Sequence, residues 1–474
     1  MFNRRHLLKT TACGFGSLAL AAMSQQQASG AGLSGRPGHF PARAKRVIFL
    51  FMAGGISQVD SFDYKPRLAR ENGNKRSFDD ARTVAKTGKG AEQRIMQSLW
   101  EFRQRGQSGL WASDLFPHLA ERMDDLCVVK GMHTEGVAHG PATLFLHTGT
   151  TNFIRPSMGS WISYGLGTGN DNLPSFVSIS PSLGNGGPRN YGTAFLPPVY
   201  QGTPLGRTGQ AASEATIKNL SNPLLSSEAR NQQFALLREL HRDQLQRTAA
   251  SGHQEAVEAV IQSYELAWRL QTNAPDVLNL EGESAATRQL YGIGEKPTDN
   301  FGRQCLMARR LAESGVRYIQ VNYTDNSNNP AWDQHGNLPK HKDHAMAVDK
   351  PVAGLLQDLK QRGLLEDTLV WFGSEFGRTP YAQDNGTGRD HNPLGFTQWL
   401  AGAGVKAGFS YGETDEFGHL AVAGKIHMHD MHATILHLLG LDHELLTFRH
   451  AGRDFRLTDV HGHVVKEILD SART

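Results

Sequence analysis

Short apolar runs recur along the chain at 46–52, 126–131, 175–179, 316–323, 368–373 and 397–401, each rich in Val, Ile, Leu or Phe. Runs of this length and composition predict strands buried on both faces. Helical stretches alternate with them: 302–314 and 348–362 each precede a strand, and Gly363 is placed to cap the second. The alternation predicts an α/β fold, a doubly wound, mostly parallel sheet with helices on both faces.

Two regions break the rhythm. Residues 63–103 are polar and basic, and 181–222 are rich in Gly, Pro, Ser and Thr, as suits long surface loops beside a site. After them, FALLRELHRDQLQR and AVEAVIQSYELAWRLQ carry apolar positions at helical spacing, which predicts one or two amphipathic helices that pack on the sheet or on each other. The expected organisation is a single domain over 44–474 with a loop insertion at about 181–222 and a helical insertion at about 226–273.

The first 30 residues read as an export leader. Asn3-Arg4-Arg5-His6-Leu7-Leu8-Lys9 has the twin-arginine form, an apolar run follows over 11–23, and Ala28-Ser29-Gly30 offers a small-residue cleavage site. That run is too short to span a bilayer, so the expectation is a periplasmic or otherwise exported protein without stable membrane insertion. The formal net charge is +3, and Arg4, Arg5 and Lys9 supply 3 positive charges in a leader without acids, so the rest balances at 3 − 3 = 0. A neutral body argues against a nucleic-acid or anionic-lipid partner. Of the 3 cysteines, Cys13 lies in the leader. Cys127 and Cys305 sit in apolar strand and helix patterns and read as buried small hydrophobes, with a disulfide between them as the alternative.

Candidate chemistry concentrates between Trp332 and His391. WDQHGN, TLVWFGSEFGRTP and GRDHNP supply Asp333, His335, Glu375 and His391, nitrogen and oxygen donors that suit Zn, Mn or Fe rather than a soft thiolate site. The candidates follow strands, as do Gly54-Gly55-Ile56-Ser57, His133 and His139, and in an open α/β sheet ligands bind outside the carboxyl ends of strands. Asp60 and Asp63 are either site carboxylates or turn and cap residues. Arg378 and Arg389 either clamp sulfate or phosphate oxygens or pair with Asp384, Asp390 or Glu375. In MHDMHATILHLLG a helix is expected with Ile435, Leu438 and Leu439 toward the core and His432 and His437 on its polar flank; His427 and His429 are further site candidates.

The leader together with GGISQVDSFDYKP, MHTEGVAHGPATLFLHTG, GRQCLMARRLAESGVRYIQV, WDQHGN, GSEFGRTP, GRDHNP and HDMHATILHLLGLD resembles the exported sulfatase-like family named domain of unknown function 1501, part of the alkaline phosphatase superfamily. The resemblance implies the alkaline phosphatase/sulfatase-like core. It implies that Asp333, His335 and His391 ligate one metal, with Asn337 where several relatives carry the first His. The second metal shell of that superfamily departs here: the first strand ends in Met52-Ala53, Glu375-Phe376 stands for an Asp-His pair, and His139 stands at the nucleophile position. One divalent metal (Zn, Mn, Fe or Ca) is therefore expected rather than two. Glu375 and Asp60 are the second ligand set or general base, His139 the acid/base, Arg378 the anion binder, and Ser57, Thr134 and Thr143 the hydroxyl candidates. The implied activity is hydrolysis of a sulfate or phosphate ester on a small molecule or glycan; the alternative is a non-catalytic exported binding or assembly protein.

Overall fold

The computed structural model describes residues 35–78, 92–217, 226–248, 254–325, 329–383 and 386–470. The leader lies outside them, as does Asp384.

The strands that matter to the site are β1 (Arg46–Met52), β2 (Leu126–His133), β3 (Phe176–Ile179), β4 (Thr203–Leu205), β5 (Tyr318–Tyr323), β6 (Thr368–Gly373), β7 (Gly377–Ala382), β8 (Arg389–Asn392), β9 (Phe396–Ala401), β10 (Phe409–Tyr411) and β11 (Ile426–His427). Nine of them form one sheet in the order β10-β2-β9-β6-β1-β5-β3-β4, with β11 also paired to β2. β7 and β8 form a separate antiparallel pair above it. Within the sheet β1 runs parallel to both β6 and β5. The expectation of a mostly parallel sheet holds with one exception: β9 runs antiparallel to β6 and to β2. The reason is connectivity. The β7–β8 excursion returns the chain to the sheet from the carboxyl-end rim, so β9 must run back down, whereas a parallel strand needs a crossover of a dozen or more residues.

β1 and β6 carry buried residues at nearly every position because helices cover both faces. Phe49 and Trp371, in register across them, stack with ring centroids 3.8 Å apart, a pair contributing about 0.5–1.5 kcal/mol beyond the area it buries. The covering helices are α1 (His139–Thr148), α2 (Met158–Leu166), α5 (Asp299–Glu313), α6 (His341–Gln361) and α7 (Met428–Leu438), while α3 (Ser227–Thr248) and α4 (Gln254–Leu278) lie beside the core as a contacting pair. Helices α5 and α6 begin earlier than the apolar period indicates, because the polar first turns Asp299-Asn300 and His341-Lys342-Asp343 precede it. Gly363 follows α6 at φ 69°, the left-handed conformation of a cap.

Cys127 and Cys305 are both buried and free. His432 corrects the sequence expectation: it is fully buried, with Nε2 donating to the Leu146 carbonyl at 2.8 Å. Among the described residues no helix is long and apolar enough to cross a membrane.

Candidate metal centre

Three chain segments meet at the carboxyl-end rim. The turn after β1 is the platform. Gly54 holds φ 114°, and a Cβ there would stand 2.6 Å from the Asp333 nitrogen and 2.7 Å from the Trp332 nitrogen. Only glycine permits this approach, which sets the Trp332-Asp333 turn against the end of β1. The Gly54 N–H donates to both carboxylate oxygens of Glu375, at 3.0 and 3.1 Å. Ser374 Oγ accepts from Gly55 N–H at 2.8 Å and donates to the Met52 carbonyl at 2.6 Å, tying the end of β6 to the same turn.

His139 opens α1 and His391 lies on β8, while His335 stands two residues beyond Asp333. One nitrogen or oxygen from each of these four residues lies within 4.8 Å of the others. Asp333 Oδ1 is 2.8 Å from His335 Nε2 and 3.2 Å from Nε2 of both His139 and His391, and the His335 and His391 Nε2 atoms are 2.9 Å apart.

Each ring is turned by what its other nitrogen touches. His139 Nδ1 faces Glu375 Oε1 at 2.6 Å, His391 Nδ1 faces the Val137 carbonyl at 2.7 Å, and His335 Nδ1 bonds Gln383 Oε1. All three partners are oxygen acceptors, so each Nδ1 carries the hydrogen and each Nε2 turns a lone pair inward. His139 Nε2 consequently has no hydrogen-bond partner although buried, and it faces the Asp333 carboxylate with no donor between them. Several lone pairs directed at one point are repulsive unless a cation, a proton or a metal, stands among them.

Burial pushes His391 down to about 3, so that ring is neutral at neutral pH. Burial alone would raise Asp333, but the three imidazoles gathered around it and the Arg378 charge hold its carboxyl well below the usual range. Burial likewise works against ionised Glu375, and the His139 bond outweighs it. In His139 burial disfavours the imidazolium, yet Asp333 and Glu375 together move it upward.

Several sequence-predicted roles change places. His139, expected as acid/base, is the fourth inward donor. Glu375, expected as a ligand or general base, lies behind His139 and faces its Nδ1, outside the group of four. Asp60 is not brought to the centre: its carboxylate is fully buried, accepting from Arg389 Nε at 2.7 Å and Nη2 at 3.4 Å, from the Ser57 hydroxyl and from the Leu99 N–H. With those lone pairs spent it has none to offer a metal. Arg389 pairs with Asp60 rather than with Asp390 or Glu375. Arg378 cannot clamp an anion, because its buried guanidinium already donates to Asp333 Oδ1 at 2.7 Å, the Gly55 carbonyl at 3.0 Å and the Arg389 carbonyl at 3.1 Å. Asp63 is a structural acid held by Thr414 and by Lys65 at 3.2 Å. Asn337 is exposed and bridges Thr387. His427 caps α7 in a reciprocal pair with Asp430, and His429 Nε2 donates to the Gly149 carbonyl. Gln383 was not anticipated, since a lone amide carries no motif.

The four donors make a compact set of three imidazoles and one carboxylate. Neighbouring donors on a tetrahedral metal with bonds of roughly 2.0–2.2 Å stand about 3.3–3.6 Å apart, a little wider than the 2.8–3.2 Å separations around Asp333 Oδ1 and within the 4.8 Å that bounds the whole set. The set therefore fits a divalent transition metal with little movement. Three imidazoles do not suit Ca, which takes oxygen ligands.

A model of the family described as "Protein of unknown function (DUF1501)" matches residues 44–469. No curated protein matches the sequence. Among solved structures, the lipoteichoic acid synthase LtaP from Listeria monocytogenes is 12% identical, covering 90% of this chain and 78% of that one at a TM-score of 0.33. The PsFucS1 sulfatase from Pseudoalteromonas sp. is 14% identical, covering 84% and 68%, at a TM-score of 0.37. The alkaline phosphatase from the Antarctic bacterium TAB5 is 9% identical, covering 85% and 99%, at a TM-score of 0.35. Likeness at this level says nothing about the chemistry of the site.

Proposed function

The chain belongs to the DUF1501 family, and we propose that it is an exported, metal-dependent hydrolase of sulfate or phosphate esters carried on a small molecule or glycan. The observation that carries the reading is the convergence of three imidazole Nε2 atoms and Asp333 Oδ1 on one point, each ring fixed by an oxygen behind it. Carboxylate or carbonyl support behind a histidine is the arrangement that sets the tautomer and basicity of a metal ligand.

In this reading His139, His335, His391 and Asp333 hold the metal, and Glu375, Gln383 and the Val137 carbonyl orient the rings. Arg378 keeps Asp333 ionised and aimed. The nitrogen-rich donor set suits Zn, Mn or Fe. A metal held there supplies Lewis acidity toward an ester oxygen. Substrate would approach past His335, whose side chain is 26% exposed against 2% for Asp333, 7% for His139 and 8% for His391. The twin-arginine leader supports export to the periplasm, which fractionation with sequencing of the mature amino terminus would check.

The test is elemental mass spectrometry of the purified protein followed by a panel of sulfate and phosphate esters. About one equivalent of Zn, Mn or Fe with turnover of at least one ester is expected; a metal-free protein would end the reading. A second reading, a binding or assembly protein with a structural metal, is supported by the four protein donors, which are enough to close a tetrahedral site. Metal without turnover across the panel would favour it.

A further inference from the structure

The four donors are not held alike. His139 begins a ten-residue helix, is backed by buried Glu375 and lies against the rings of Phe376 at 5.0 Å and His391 at 4.4 Å. His391 lies on a strand, is backed by a main-chain carbonyl and touches Phe376 as well. Asp333 is pinned by Arg378 and by the close approach of Gly54.

His335 differs on each count. Among the described residues its one ring neighbour is His391, at 4.6 Å, its orienting partner is the neutral amide of Gln383, and it is the most exposed of the four. The same Nδ1 has a second acceptor within reach, Asp390 Oδ1 at 3.6 Å. The backbone is nevertheless fixed, because the Gly388 turn lies so close that a Cβ there would fall 2.2 Å from the His335 carbonyl group. A ring on a fixed backbone, with an exposed side and two alternative acceptors, can rotate without disturbing the other donors.

The closed donor set makes such a rotation useful, since a metal with four protein donors has no place for an ester, and catalytic sites keep one position open. Resting on the metal-centre reading above, we propose that His335 is the displaceable donor, which turns away toward Asp390 when a sulfate or phosphate group binds, leaving Asp333, His139 and His391 as the permanent triad. His335 is then both the gate and the reason the resting centre looks complete.

The experiment uses the zinc-loaded full protein and inorganic phosphate as probe. X-ray absorption at the zinc edge should count three imidazoles without phosphate and two at saturating phosphate. In parallel, chelator competition should show that His335→Ala still takes up one metal, while His391→Ala loses at least about tenfold more affinity than His335→Ala does. Three imidazoles retained with phosphate bound, or equal losses in the two variants, would overturn the displacement and leave the metal centre standing. Wild type that takes up no zinc would overturn the metal centre itself, and the displacement with it.

Discussion

His139 Nδ1 lies 2.6 Å from Glu375 Oε1, with the carboxylate fully buried and its other contacts made by the Gly54 N–H and Ser374. The acid therefore acts through the imidazole. Glu375→Gln keeps the shape but replaces a charged acceptor with a neutral one, and metal affinity is expected to fall about 10–100-fold. Competition against a chelator of known affinity measures this; unchanged affinity would remove Glu375 from the centre.

Asp60 and Arg389 form an ion pair in which neither side chain has exposed surface. Asp60→Ala leaves the guanidinium buried and uncompensated, at a cost of about 3–5 kcal/mol. Denaturant unfolding should show that loss while metal stoichiometry stays at the wild-type value. Loss of metal in a variant that remains folded would return Asp60 to the ligand set.

Phe376 packs against the rings of both His139 and His391. Phe376→Ala should cost about 3–5 kcal/mol as a core truncation, seen as a lower denaturation midpoint. Phe376→Leu should recover most of it, and metal should still bind in both variants.

Acid should also destabilise the fold through buried histidines outside the group of four donors. Burial holds His147 and His432 down to about 3, against an unfolded value near 6.5. A depressed folded value means that the stabilisation is complete above pH 6.5 and is lost as pH falls toward 3, at about 1.4 kcal/mol per pH unit for each ring. The His147 ring packs edge-on to Phe49 and Phe51 and its Nε2 has no partner, so His147→Phe should fit and flatten the decline. Unfolding free energies at pH 7 and pH 5 for both proteins decide it; parallel slopes would show that His147 does not titrate as placed.

Much of the architecture was legible because β1 and β6 are continuous apolar runs that only a doubly covered strand can accommodate, and the structure returns their limits unchanged at Arg46–Met52 and Thr368–Gly373. The direction of β9 was not, since burial on both faces looks the same whichever way a strand runs. His432 was misplaced because helical spacing gives an angle around the axis but not what lies opposite, here the end of α1. At the site, Asp333, His335 and His391 could be found from motifs. The exchange of roles between His139 and Glu375 could not, because spacing does not say which atom of a residue turns inward. Gln383 and the Val137 carbonyl left no trace in the sequence, one a common amide and the other main chain.

The donors come from residues 139, 333, 335 and 391, on three segments that follow β2, β5 and β6 and meet only when those strands have assembled around β1. An unfolded chain would offer a passing ion at most the neighbouring Asp333 and His335 together, too little to discriminate between metals. Selection among Zn, Mn and Fe would thus be postponed to the compartment where folding is completed. For a chain translocated already folded, as its leader proposes, that compartment is the cytoplasm, and the ion would be fixed by cytoplasmic metal supply before the protein meets its substrate outside.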